Sequence, residues 1–186
     1  MTRPELWPRQ TDRLVLHPPG DADVEAVLAW RNHPEVNRWL LRTEVDPVAY
    51  REMWRSGADD PCDHHVVAVV DGAVVGTLSL EVGDGMGQGP DSPARGSEGL
   101  LGYLLDPAHH GRGYATEMVG AALDLAFGEL GLRRVTAGCF ADNVASWRVM
   151  EKAGMRREQH GLRDSWHAEL GWVDGFTYAV LADERA

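Results

Sequence analysis

The stretch His109-His110-Gly111-Arg112-Gly113-Tyr114-Ala115-Thr116 joins a short apolar run, Leu100 to Leu105, to a longer segment of different period. In that segment Ala115, Met118, Val119, Ala122, Leu123, Ala126, Phe127 and Leu130 recur at the three- and four-residue steps of an amphipathic helix. Asp106-Pro107 stops the strand, and the glycines then open the helix. Gly111 and Gly113 let backbone N–H groups converge without Cβ clashes, and a helix N-terminus carries about half a positive elementary charge. The junction therefore has the build of a pyrophosphate site, to which Arg112 adds a charge-assisted contact. An ordinary tight turn before a helix would also use glycines. Two nucleotide motifs fail here: GxxxxGK[ST] is absent, and Thr116 stands where GxGxxG needs its third glycine.

Downstream, Arg134 to Phe140 reads as a strand, Asn143 to Ala153 as a helix closed by Gly154, and Phe176 to Leu181 as a final strand. Upstream, Val66 to Val70, Asp71-Gly72 and Val74 to Leu80 spell a hairpin, because Asp-Gly supplies the positive φ angles of a tight primed turn. Between that hairpin and the strand at Leu100 lies a Gly-, Pro-, Ser- and Asp-rich stretch, Gly83 to Gly96, read as a mobile loop. Near the start, Arg13 to His17 alternates as a strand. Asp21 is then the expected N-cap of a helix carrying Val24, Val27, Leu28 and Arg31, a short helix follows Pro34, and Asp46 caps another from Pro47 to Trp54.

With 186 residues, 44% of them hydrophobic, the chain has enough apolar material for one core, and residues 1–186 are expected to form a single domain. The net charge of -11 argues against duplex nucleic acid or an anionic membrane as partner and favours a cationic one. Met1 to Gln10 shows no apolar leader core, and no run approaches the roughly 18 apolar residues of a membrane span, so a cytoplasmic protein is expected. Cys62 and Cys139 form no disulfide framework, Cys139 reading as a buried core thiol. The adjacent pairs His64-His65 and His109-His110 suit no shared metal, and none is expected.

The junction resembles the [Q/R]xxGx[G/A] motif of the GCN5-related N-acetyltransferases (GNAT), here His110-Gly111-Arg112-Gly113-Tyr114-Ala115, with His110 in place of Gln or Arg. The chain is similar to the RimJ/RimL-like branch at Thr11-Asp12-Arg13-Leu14-Val15-Leu16, at Trp30-Arg31-Asn32-His33-Pro34-Glu35-Val36 and at Leu101-Gly102-Tyr103-Leu104-Leu105-Asp106-Pro107. Asn143 to Met155 matches its NxxSxxxxEKxGF segment, with Met155 for Phe. The resemblance implies an α/β (α+β) fold: a central mixed, mostly antiparallel, twisted sheet splayed between its fourth and fifth strands and flanked by helices. It also implies acetyl-CoA as acyl donor, an amine acceptor (a protein N-terminus or a small cationic amine), direct attack without a metal, and a homodimer.

Residue by residue, the resemblance puts the pyrophosphate at His110 to Ala115 and pairs the pantetheine with backbone at Leu104 and Leu105, where an N–H would polarise the thioester carbonyl. Asn143 and Ser146 would face the pantetheine, Asn143 serving equally as an N-cap, and Ser146 stands where the RimL-like branch has its thiolate acid. Many relatives carry a tyrosine for that purpose, but Met150 occupies its place. Arg148, Lys152, Arg156 and Arg157 form a basic cluster, and Arg148 is the candidate contact for an adenosine 3'-phosphate, with solvated surface the competing reading. Glu98, beside the glycine-rich loop, is the expected general base; Glu158, Asp164, Glu169 and Asp174 compete with it. Trp30, Trp39 and Asp174 are the candidates for the acceptor cleft, the tryptophans as cation-π faces. A domain that binds acyl-CoA without transferring it is the alternative.

Overall fold

The computed structural model describes residues 6–57, 60–89 and 91–185. The leader reading of residues 1–10 falls partly on residues 1–5, and the glycine-rich loop includes Pro90, all outside the described residues. The chain runs β1 (Arg9–Gln10), β2 (Val15–His17), α1 (Asp21–Arg31), α2 (Pro34–Asn37), α3 (Pro47–Gly57), β3 (Asp63–Val70), β4 (Ala73–Gly83) and β5 (Glu98–Leu105). It continues through α4 (Tyr114–Gly128), β6 (Arg134–Phe140), α5 (Val144–Lys152), β7 (Arg156–His167) and β8 (Gly171–Leu181).

These strands form one eight-stranded sheet in the order β1-β2-β3-β4-β5-β6-β8-β7. Every pairing is antiparallel except β5 with β6. That parallel pairing is short: Glu98, Gly99 and Leu100 face Arg134, Val135 and Thr136, after which both strands run on unpaired with each other. The expected splay between the fourth and fifth strands is this parting of β5 from β6, the count being shifted by the two-residue β1.

Alternating side chains divide the sheet between two apolar clusters. On one face, called here the donor face, Val66, Ala68, Leu101, Val135, Ala137, Tyr178 and Val180 pack with Met118, Val119, Ala122 and Leu123 of α4 and Met150 of α5. On the other, the acceptor face, Val67 packs with Val24 and Val27 of α1 and Tyr50 and Trp54 of α3. The stripe read from Ala115 to Leu130 is thus the contact that fixes α4, and with it the glycine junction, at the end of β5.

The hairpin at Asp71-Gly72 forms with φ of 48° and 81° at the two turn residues. Asp46 caps α3 through its side chain to Ala49 N at 2.9 Å. Two expectations change. Gly20, not Asp21, is the N-cap of α1, because Asp23 reaches back to Gly20 N at 2.8 Å and fixes the helix one residue earlier. The last strand begins at Gly171, not Phe176, and is preceded by β7, an edge strand that is exposed at almost every position and carries no apolar alternation. The glycine-rich stretch is an excursion closed at its base by Gly85 N to Ala94 O and Gly96 N to Asp84 Oδ1, both at 2.7 Å.

Leu123 is fully buried between α4 and the sheet. Leu123→Ala is expected to lower the unfolding free energy by about 2–5 kcal/mol, measured by urea titration with an unchanged slope.

Candidate functional site

Beyond Leu100 the edge of β5 turned toward β6 has no strand partner. Thr136 Oγ1 donates to Gly99 O at 3.3 Å, so Gly99 presents its backbone to β6. Strand backbone groups alternate sides, so those of Leu101, Tyr103 and Leu105 face the opening as well. The even positions face β4, as Asp106 N shows by donating to Val75 O at 2.9 Å. Of the two residues expected to offer backbone to a pantetheine, Leu105 therefore presents it to the opening; Leu104 is spent on β4, where it pairs with Thr77.

At the mouth of this opening the junction forms an anion cradle. Gly111 and Gly113 take left-handed φ angles of 74° and 82°, a reversal that only glycine makes without strain, and Gly113 is the N-cap of α4. The N–H groups of Tyr114, Ala115 and Thr116 in the first helical turn have no acceptor within the helix. Arg112 is exposed and spends one guanidinium nitrogen on Ala108 O at 3.3 Å. His110 does not point outward as a phosphate ligand: its Nε2 lies 3.2 Å from Leu105 O and donates to it, tying the junction to the strand end.

A second tie comes from a residue that sequence spacing does not connect with the site. Arg13 donates from NH1 to Arg112 O at 2.7 Å, stacks over the Tyr114 ring at 4.8 Å and donates from Nε to Glu117 Oε2 at 2.7 Å. Glu117 also accepts from Arg13 N at 2.9 Å and Thr11 Oγ1 at 2.5 Å. Burial alone would raise the Glu117 pKa, but the hydrogen bonds from Thr11 and Arg13 together bring it below the ordinary glutamate value. Thr11-Asp12-Arg13 is thus a clamp on the first turn of α4.

Across the opening, Asn143 caps α5 by accepting from Ser146 N at 3.2 Å. Tyr103, reaching from β5, donates to Ser146 O at 2.9 Å and sits 3.0 Å from Ser146 Oγ. Burial pushes the Tyr103 phenol up to about 12 and the neighbouring Cys139 thiol up to about 11, so both stay protonated at neutral pH. Tyr103 belongs to no catalytic motif of its own in the sequence; the alternation of β5 is the signal that puts it on the α5 side. Arg148 lies exposed on α5 with its guanidinium 5.5 Å from the Trp147 ring. The basic cluster disperses: Arg156 pairs with Glu158 at 2.6 Å and with Glu184, while Arg157 stacks on Phe176 at 4.5 Å.

The remaining candidates are spread along the sheet. Glu98 is seven residues from Leu105 along β5, about 23 Å at strand rise, at the closed end of the parting. There it is ion-paired with Arg133 and, at 3.6 Å, with Arg134. Trp30 packs against the α1/α3 cluster, whereas Trp39 stands at the open end, 6.3 Å from Phe140 and 5.1 Å from His167 between ring centroids. Asp174 accepts from Arg163 N at 2.9 Å and pairs with His160 Nε2 at 2.7 Å, and these hydrogen bonds, the backbone one foremost, hold its pKa below the usual carboxylate value. Among the described residues no group of three or more His, Cys, Asp or Glu side chains could hold a metal, and no helix is long and apolar enough to cross a membrane.

A parted parallel strand pair with a glycine cradle at its mouth has known relatives. The sequence model of the Acetyltransferase (GNAT) domain matches residues 13–156. The chain belongs to the GNAT acetyltransferase family. Among curated relatives, this GNAT domain is 37% identical over 84 residues to the uncharacterized N-acetyltransferase YnaD of Bacillus subtilis (strain 168), a match of 45% of this chain and 49% of that protein. The chain thus aligns with about half the length of that relative. Mycobacterium smegmatis RimJ in complex with CoA-disulfide superposes with a TM-score of 0.77 at 22% identity, covering 96% of this chain and 90% of the other. Spermidine N-acetyltransferase from Vibrio cholerae, in complex with CoA and spermine, gives 0.80 at 16%, covering 94% and 98%. At these identities the two structures show a shared fold.

The Glu117 clamp carries a pH signature. A carboxylate whose folded pKa is depressed stabilises above its unfolded value and loses that contribution as pH falls through the folded value. Glu117→Gln should therefore melt below the native chain at pH 7, and the gap in Tm should close as pH drops below about 4, followed by thermal denaturation.

Proposed function

We propose that this chain is an acetyl-CoA-dependent N-acetyltransferase that moves the acetyl group directly to an amine. The observation that carries the reading is the opening between β5 and β6, which leaves Leu101, Tyr103 and Leu105 with backbone groups facing a gap that ends at the Gly111–Gly113 cradle.

In this reading the N–H groups from Gly111 to Ala115 and the Arg112 guanidinium hold the pyrophosphate of coenzyme A, and His110 keeps the cradle against β5. The pantetheine arm pairs with β5 in place of β6. A backbone N–H of β5 that faces the opening then polarises the thioester carbonyl and stabilises the oxyanion as it forms. Asn143 and Ser146 bound the arm from α5. A neutral amine attacks the carbonyl carbon, the C–N bond forms, and the tetrahedral centre collapses as the C–S bond breaks. One proton has left the ammonium before attack; a second leaves the nitrogen on collapse, and the departing thiolate takes one up.

In the same reading the Ser146 hydroxyl, held by the Tyr103 phenol, serves the departing sulfur. A thiol of ordinary acidity, about 8.5, leaves without full protonation. Glu98 is ill placed for the base in this reading: Arg133 and Arg134 hold it, and it lies where the strands are still paired. The acceptor is a protonated amine in solution, in keeping with the net charge of -11. The fold neighbours have one acceptor class in a spermidine N-acetyltransferase and another in the ribosomal-protein-S5-alanine acetyltransferase from Vibrio fischeri.

Thiol release from acetyl-CoA, measured over a panel of polyamines, amino acids and peptide N-termini, tests the reading; no release on any amine despite CoA binding would overturn it. In the same assay Ser146→Ala should cost less than about tenfold in kcat, and Glu98→Gln should keep its turnover; a loss of about a thousandfold in either would make that residue obligatory.

A further inference from the structure

Strand β7 breaks register with β8 between Gly161 and Ser165. Gly161 pairs with Gly175 and Ser165 with Val173, so Leu162, Arg163 and Asp164 stand out as a bulge opposite a single residue. Arg163 takes a φ of 50°, an unfavourable left-handed angle for a residue with a Cβ. The bulge is pinned from the donor face, where Asp174 binds Arg163 N and is itself held by His160.

This strained segment lays the exposed Asp164 carboxylate over Gly161 and Gly175 on the acceptor face. A Cβ on Gly161 would fall 1.6 Å from Asp164 Oδ2, and a Cβ on Gly175 would fall 2.7 Å from Asp164 Oδ1. Neither glycine has a positive φ, so what they supply is room for the carboxylate and not a turn. Ser165 Oγ donates to Asp164 Oδ1 at 2.9 Å and fixes its orientation. Among the described residues no Lys, Arg or His is ion-paired with Asp164, whereas Glu98, Glu117 and Glu158 each have an arginine.

The place is the acceptor side of the opening. Gly175 is the register partner of Phe140, the last residue of β6, and Phe140 packs with Trp39 and, at 5.2 Å, with His167. Gly138, two residues back on the same face, is exposed. An exposed carboxylate without a cation thus lies over Gly175, one strand from Phe140, on the face opposite the cradle.

We infer that Asp164 is the anionic subsite for the protonated amine of the acceptor, oriented by the β7 bulge over a floor of Gly161 and Gly175, with the Trp39 and Phe140 rings at the end of the neighbouring strand. This assignment rests on the acetyltransferase reading. It makes Asp164 a specificity-determining residue: the carboxylate selects a cation, and the aromatic rings favour the same charge.

The experiment is a calorimetric titration of spermidine and of an alanine-initiated peptide into the CoA-bound chain, together with KM values for amine and acetyl-CoA. Asp164→Asn removes the charge; Gly161→Ala leaves it but fills the space it occupies. Both are expected to weaken binding of the preferred amine about tenfold or more and to raise its KM in proportion, with the affinity for CoA and the Tm unchanged. Asp71→Asn, at the far β3–β4 turn, controls for net charge and should behave as native. Amine affinity unchanged in both site variants, or no binding of either amine by the native chain, overturns the inference. Amine binding that depends on Asp164 without any thiol release would uphold the subsite and contradict the acetyltransferase reading.

Discussion

The structure depends on one interrupted hydrogen-bond ladder. Strands β5 and β6 pair through Glu98–Leu100 and Arg134–Thr136 and then part, while β4 holds β5 on one side as far as Leu105 and β8 holds β6 on the other to Phe140. Each half of the sheet is locked by its own ladder, so the two cannot close on one another. The backbone groups left over inside the gap need a partner, because an unpaired buried amide costs free energy comparable to a lost hydrogen bond. A ligand with its own amide groups is a fitting partner, and pantetheine is such a ligand.

The rest of the architecture serves that gap from its two sides. On the donor face, α4 is fixed by its apolar stripe, and its first turn is tied down by Arg13, Glu117 and His110, so the cradle meets the end of β5 at a set height. On the acceptor face, His167 accepts from Glu169 N and Leu170 N and donates from Nε2 to Arg38 O at 2.7 Å, locking the β7–β8 turn to the segment after α2. That lock holds Trp39 against Phe140.

What the sequence shows and what it hides follow from the range of the interactions. The glycine junction, the α4 stripe and the Asp71-Gly72 hairpin are local patterns, and each forms where its spacing places it. Strand β7 was illegible because an exposed edge strand with a bulge carries no apolar period, and its pinning by Asp174 is set by cross-strand register alone. The clamp between Arg13 and Glu117 joins residues 104 apart, which no local pattern reveals. Glu98 stands beside a glycine-rich loop in the sequence, and its arginine partners at 133 and 134 come from the far side of α4. Of two adjacent leucines at the end of β5, only alternation fixed by actual hydrogen bonds tells which one turns to the gap.

Residue-resolved amide hydrogen exchange with and without CoA tests whether coenzyme A fills the gap between β5 and β6 and pairs with its free edge. Added protection is expected at Leu101 and Tyr103 on β5 together with the cradle amides from Gly111 to Ala115, and little change at Gly102 and Leu104, which already pair with β4. Binding of CoA that protects the cradle alone, or protects amides elsewhere and leaves Leu101 and Tyr103 exchanging as before, would contradict that pairing.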